Sequence, residues 1–197
     1  MGKTKTKAKY RTLATVLIMS LLALIIIAIY LYFSNRTEPL EEPSVENMSE
    51  IELLLDKDLD LYYPESPREV TKLFSRMMKA IYDTDTEQDQ LEVIAMKIRN
   101  LYDEEFLTNN PEDTYLTNLY TDIAIWKEAD RRITNFIVAD EETNQISEID
   151  GVKYAIVSVS FTIQENGKFV EKWEVMLRQG NDKKWKILGW KTVSEDK

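Results

Sequence analysis

The sequence predicts an α+β fold, a helical half followed by an antiparallel sheet, carried behind an N-terminal membrane span. Three observations point there. An uncharged run of 22 residues, Thr12 to Phe33, lies near the start. Apolar residues then recur at three- and four-residue steps to about residue 126, and beyond about 130 the period drops to two. Helices first and a meander with one dry face afterwards is the pattern of helices packed on an antiparallel sheet.

Taken in order, residues 1–11 form a basic tail expected in the cytoplasm. Thr12–Phe33 as a helix would be about 33 Å long, enough for a hydrocarbon core of about 30 Å. Lys3, Lys5, Lys7, Lys9 and Arg11 precede it, and Arg36 alone follows closely. That bias predicts a cytoplasmic N-terminus and an outer C-terminal domain, at the cell membrane. The run is longer than a signal-peptide core and ends in bulky residues, so it is expected to stay as an anchor. Residues 34–64, rich in acids and opening with Pro39 and Pro43, read as an extended acidic tether. Asp56, Asp58 and Asp60 resemble the start of a calcium loop. Leu61 and Pro67 stand where that loop needs Gly and Glu, so the triplet reads as solvated linker.

The globular domain is expected over 65–197. Ser66-Pro67-Arg68-Glu69 is a helix start, with a capping hydroxyl, a proline at the first turn and a glutamate able to reach back. Val70, Leu73, Phe74, Met77, Met78, Ile81 and Tyr82 mark its apolar face. Asp85 and Thr86 open a second helix, whose inner side carries Leu91, Ile94, Ala95, Ile98, Leu101 and Tyr102. Phe106 and Leu107 read as a short buried connector. Asn110-Pro111 opens a third helix faced by Leu116, Leu119, Tyr120, Ile123 and Trp126.

About four strands follow: Ile133 to Val138, Val152 to Gln164, a return strand after the Asn166-Gly167 turn, and Lys184 to Val193. Strict alternation puts Ala155, Val157, Val159, Phe161 and Ile163 inward, with Phe169, Trp173, Val175 and Leu177 opposite them. The same alternation sends Trp185 and Ile187 in, and Leu188 and Trp190 out.

Three helices, then a meander closing in Lys184-Trp-Lys-Ile-Leu-Gly-Trp190, resemble the nuclear-transport-factor-2-like fold, a cone of three helices on a curved antiparallel sheet. With the entry Tyr63-Pro-Glu-Ser-Pro-Arg-Glu-Val70, the chain is similar to a family of bacterial single-pass membrane proteins carrying such a domain. Enzymes of that superfamily place acid, Tyr or His side chains at the mouth of the cone. The resemblance therefore implies a site inside the sheet.

The chain has no Cys and no His, which removes disulfides, thiol and imidazole catalysis and nearly all zinc chemistry. Residues 1–36 hold six basic and no acidic residues. The remainder holds 19 basic and 35 acidic, a net of −16, which disfavours nucleic acid. No phosphate loop, nucleophile elbow or metal cluster occurs, so no catalytic, cofactor or metal residue is assigned and no cofactor is expected. The expected role is a non-enzymatic, membrane-anchored binding or assembly module. Its partners would be the lipid bilayer through 12–33 and a protein or a second copy, met through Leu188 and Trp190. The alternative is a small-molecule or isomerase-like pocket lined by Trp173, Tyr120 and Glu171. Glu171 is the one acid on an apolar strand phase, and Asp122 is a weaker candidate beside Tyr120. A hairpin-end position in water is the competing reading of Glu171.

Overall fold

The computed structural model describes residues 48–193, apart from 84 and 85. The described helices are α1 (Glu50–Asp56), α2 (Pro67–Ile81), α3 (Gln88–Arg99), α4 (Glu104–Asn109) and α5 (Glu112–Glu128). The strands are β1 (Arg132–Val138), β2 (Gln145–Ile149), β3 (Val152–Gln164), β4 (Lys168–Gln179) and β5 (Trp185–Val193), with a 3-10 turn at Glu141–Thr143. All pair antiparallel in the order β1-β3-β4-β5, and β2 joins the first half of β3.

The fold class is corrected accordingly. A transmembrane helix plus a nuclear-transport-factor-2-like cone of three helices and about four strands was expected. The described residues instead form a mixed domain of five helices and a five-stranded antiparallel sheet. No helix among them is long and apolar enough to cross a membrane, so the membrane, single-pass and signal-anchor reading is not carried forward. The basic tail over 1–11 and the span over 12–33 lie outside the described residues.

The principal helix follows its sequence pattern. Ser66 accepts from the Glu69 amide at 3.2 Å, Pro67 takes the first turn, and Val70, Leu73, Phe74, Met77, Met78 and Ile81 are buried. Glu69 does not reach back to the cap; its carboxylate pairs with Arg68 and Lys72. The helix lies across β1, β3 and β5, against the inward residues Ala155, Val157, Val159, Phe161 and Ile163, each at most 2% exposed. Positive φ at Asp150 and Gly151 closes the β2–β3 hairpin, and positive φ at Asn166 and Gly167 closes the β3–β4 hairpin at the turn the sequence predicts.

Two additions come from segments without a clear period. The tether expected over 34–64 is helical at Glu50–Asp56, because Ser49 and Glu52 form a reciprocal capping box. Its Leu54 is fully buried, and Glu50 reaches Arg76 of α2 at 2.7 Å. The packed domain therefore includes residues before 65. Strand β2 is exposed along its whole length, so it has no dry face to signal it. The second helix starts at Gln88, capped by Glu87, rather than at Asp85, which lies outside the described residues. Thr86 is buried instead and donates to the Ala80 carbonyl at 2.6 Å.

Burial of Leu54 sets an expected outcome. Leu54→Ala should cost about 3 kcal/mol, the range for a fully buried leucine, read as the shift in the urea unfolding midpoint. A spacer outside the fold would show no shift.

Candidate functional site

Strand β5 departs from strict alternation at one point. Leu177 pairs with Ile187, but Met176 pairs with Gly189, so Leu188 is an extra residue in the ladder. Such a bulge reverses the phase of everything after it. Val175, fully buried, then faces Trp190 across the ladder. The Trp190 ring accordingly lies inward, 5.2 Å from Phe74, 5.6 Å from Phe106 and 6.0 Å from Tyr102. This corrects the outward patch expected of Leu188 and Trp190. Leu188 keeps its outward place, beside Ile156 and Met176.

With Trp190 turned in, a cavity of about 300 Å³ opens between the helices and the last strand. The C-terminal end of α2 gives it Met78 and Tyr82. The turn from α3 into α4 gives Tyr102, and α4 with its C-terminal cap gives Phe106 and Asn110. Helix α5 gives Tyr115, Asn118, Leu119 and Asp122, spaced three and four apart and so on one face.

The walls are held from several sides. The Ile187 N–H donates to the Leu101 carbonyl at 2.8 Å and the Ile187 carbonyl accepts from the Asp103 N–H at 2.8 Å, fastening Tyr102 to the sheet. Asp103 is buried, caps α4 by accepting from the Glu105 amide at 3.0 Å, and takes both arms of the Arg178 guanidinium from β4. That fork raises the Arg178 pKa further, chiefly through its hydrogen bonds to Asp103. Tyr102 meets Phe106 at 4.8 Å and Tyr115 at 6.2 Å, both edge-on. Arg99 donates to the Asn110 carbonyl at 2.8 Å and lies over the Tyr115 ring at 5.1 Å.

The polar chemistry centres on Asp122, whose Oδ2 accepts from the Tyr82 hydroxyl. Burial pushes the Tyr82 pKa up, and the hydrogen bond to Asp122 adds to it. Burial also raises Tyr102 well above the ordinary tyrosine value, with Tyr115 adding to it, and burial raises Tyr115. At neutral pH these hydroxyls are protonated donors. They are not bases. Among the described residues no group of three or more His, Cys, Asp or Glu is placed to hold a metal ion.

The sequence candidates are only partly brought together. Asp122 lines the cavity. Tyr120 donates to Glu92 at 3.1 Å, away from it. Glu171 stands opposite Phe161 near the β3–β4 hairpin, partly exposed and outside the lining. Trp173 packs between Phe161 at 4.9 Å and Trp190, whose ring is parallel to it within 4° at 5.9 Å. The pocket expected around Trp173, Tyr120 and Glu171 is therefore replaced by one around Asp122 and Trp190. In the sequence Tyr82 and Tyr102 read as core, and Tyr115 and Asn118 lie off the expected apolar face of their helix. The available signal was tyrosine, rather than phenylalanine, at apolar positions, since a buried hydroxyl needs a partner.

These features define a small α+β domain with a ligand-sized, aromatic-walled hollow between its helices and the last strand of its sheet. A family model described as domain of unknown function (DUF6715) matches residues 1–190, and the chain belongs to that family. No curated protein matches it.

The buried tyrosines make stability fall in alkali. Their folded pKa values are raised, so the stability they contribute is complete below about pH 10 and is lost as pH rises from there towards the folded values. Each adds a slope of up to about 1.4 kcal/mol per pH unit. Urea midpoints between pH 8 and 11 should drop, and the drop should be smaller in Tyr82→Phe. An unchanged pH dependence in that variant would count against a buried, neutral Tyr82.

Proposed function

We propose that the domain is a non-enzymatic binding module whose cavity takes a small, mainly apolar molecule. The observation that carries this is the cavity itself. At about 300 Å³ it lies at the lower end of ligand-site sizes. Half of its lining residues are aromatic, and the polar ones are its three tyrosines, Asn110, Asn118 and Asp122. Rings supply contact area at little entropic cost, and the hydroxyls and carboxylate fix orientation.

Chemistry of the acid–base kind has less support. A base must be poised near the working pH and within reach of the proton it takes, whereas the cavity hydroxyls are shifted the other way. Asp122 is already engaged by Tyr82. The alternative in which Leu188 and Trp190 recruit a protein loses its aromatic anchor, because the bulge turns Trp190 towards Phe74 and Phe106.

A ligand of about ten heavy atoms in such a site should bind with Kd between about 1 µM and 1 mM. Saturation-transfer NMR on the full-length chain, with a panel of cationic, neutral and anionic one-ring compounds, should give at least one saturable binder. Leu119→Trp puts an indole into the hollow and should abolish that signal while the amide spectrum stays dispersed. Binding that persists in this folded variant would place the ligand elsewhere, and a silent panel would remove the reading.

A further inference from the structure

The cavity lining contains one formal charge, the carboxylate of Asp122, and neither lysine nor arginine. Ring faces carry negative electrostatic potential and attract cations within about 6 Å of a centroid. A ligand in this hollow meets the rings of Tyr82, Tyr102, Phe106, Tyr115 and Trp190 together with that carboxylate. Both kinds of group favour positive charge.

The carboxylate is also held in place. Tyr82 donates to its Oδ2, and the Tyr82 ring leans on Trp126 at 4.2 Å, so the acid is fixed from α2 and α5 at once. A carboxylate accepts about four hydrogen bonds, so the Tyr82 bond leaves capacity for an ammonium. The Arg99 guanidinium already lies 5.1 Å over Tyr115 at the edge of this wall, while the Asn110 carbonyl anchors it. Arg99 thus already occupies the Tyr115 ring, and a ligand cation is left the rings of Tyr82, Tyr102 and Trp190.

An anion would fare badly here. It would face the carboxylate of Asp122, and in a chain of net charge −10 it would approach against the overall field. A neutral ligand would gain contact area but leave Asp122 without a charged partner.

We infer that the cavity is selective for a small organic cation, an alkyl- or arylammonium group seated against Tyr82, Tyr102 and Trp190 with its charge paired to Asp122. This rests on the binding reading above and adds the class of ligand to it.

The test compares choline with 3,3-dimethylbutan-1-ol, which has the same shape but a neutral carbon in place of the quaternary nitrogen. Both are titrated into the full-length chain by ligand-observed NMR. Choline should bind at least about tenfold more tightly, and Asp122→Asn should bring the two within about twofold. If the variant does not fold, the wild-type comparison alone decides. Equal affinities, or a preference for the alcohol, overturn the inference. If members of the one-ring panel still bind and are lost in Leu119→Trp, the binding module survives and only its charge selectivity falls. If neither probe nor any panel member binds, both fall together.

Discussion

A single extra residue in β5 is the constraint on which the site depends. In a two-residue period, inserting Leu188 between Ile187 and Gly189 exchanges the two faces of the strand from that point onward. Gly189 follows with φ of +154°, a conformation that L side chains rarely adopt, so the residue that accommodates the bulge is the one best able to. Up to Ile187 the strand feeds the core. Beyond the bulge it delivers a tryptophan to a place where an unbroken ladder would have put Gly189. Without that ring the hollow beside Phe106 and Tyr102 would lose its sheet-side wall.

The helical wall depends on a second economy, in which Asp103 serves three elements. Its amide bonds to β5, one carboxylate oxygen caps α4, and both oxygens receive Arg178 from β4. A carboxylate this buried is tolerable because its acceptor sites are filled. Removing one partner of such a pair typically costs about 3–5 kcal/mol. Helix α4 has only six residues and would be marginal alone; it persists because this cluster pins its first turn. Phe106 is thereby held against Trp190.

The strongly periodic parts of the fold were readable from residues alone. The apolar face of α2, the five inward residues of β3 and the Asn166-Gly167 turn all match, because burial on one side leaves a repeating mark. Helix α1 is too short to show a period, although Ser49 and Glu52 carry a capping signal that could have located it. Strand β2 buries nothing and so leaves no mark. The bulge was invisible to any argument that assumes unbroken alternation, and it reversed the side assigned to Trp190. The site was hard to read for a related reason. Its aromatic residues come from four elements and a turn and are apolar side chains like those of the core, and only their contacts across the hollow distinguish them. Asp122 stands out in the sequence as a polar residue on α5, but its partner Tyr82 sits at an apolar-face position at the end of α2 and carries no mark of that role.

The near-parallel stacking of Trp173 on Trp190 has an optical consequence. Two indoles this close can share an electronic excitation, so their absorption and circular dichroism in the near ultraviolet belong to the pair rather than to either ring. The bulge brings that pair together. The shape of the tryptophan dichroism band is thus a direct spectral record of whether the last strand holds its shifted pairing.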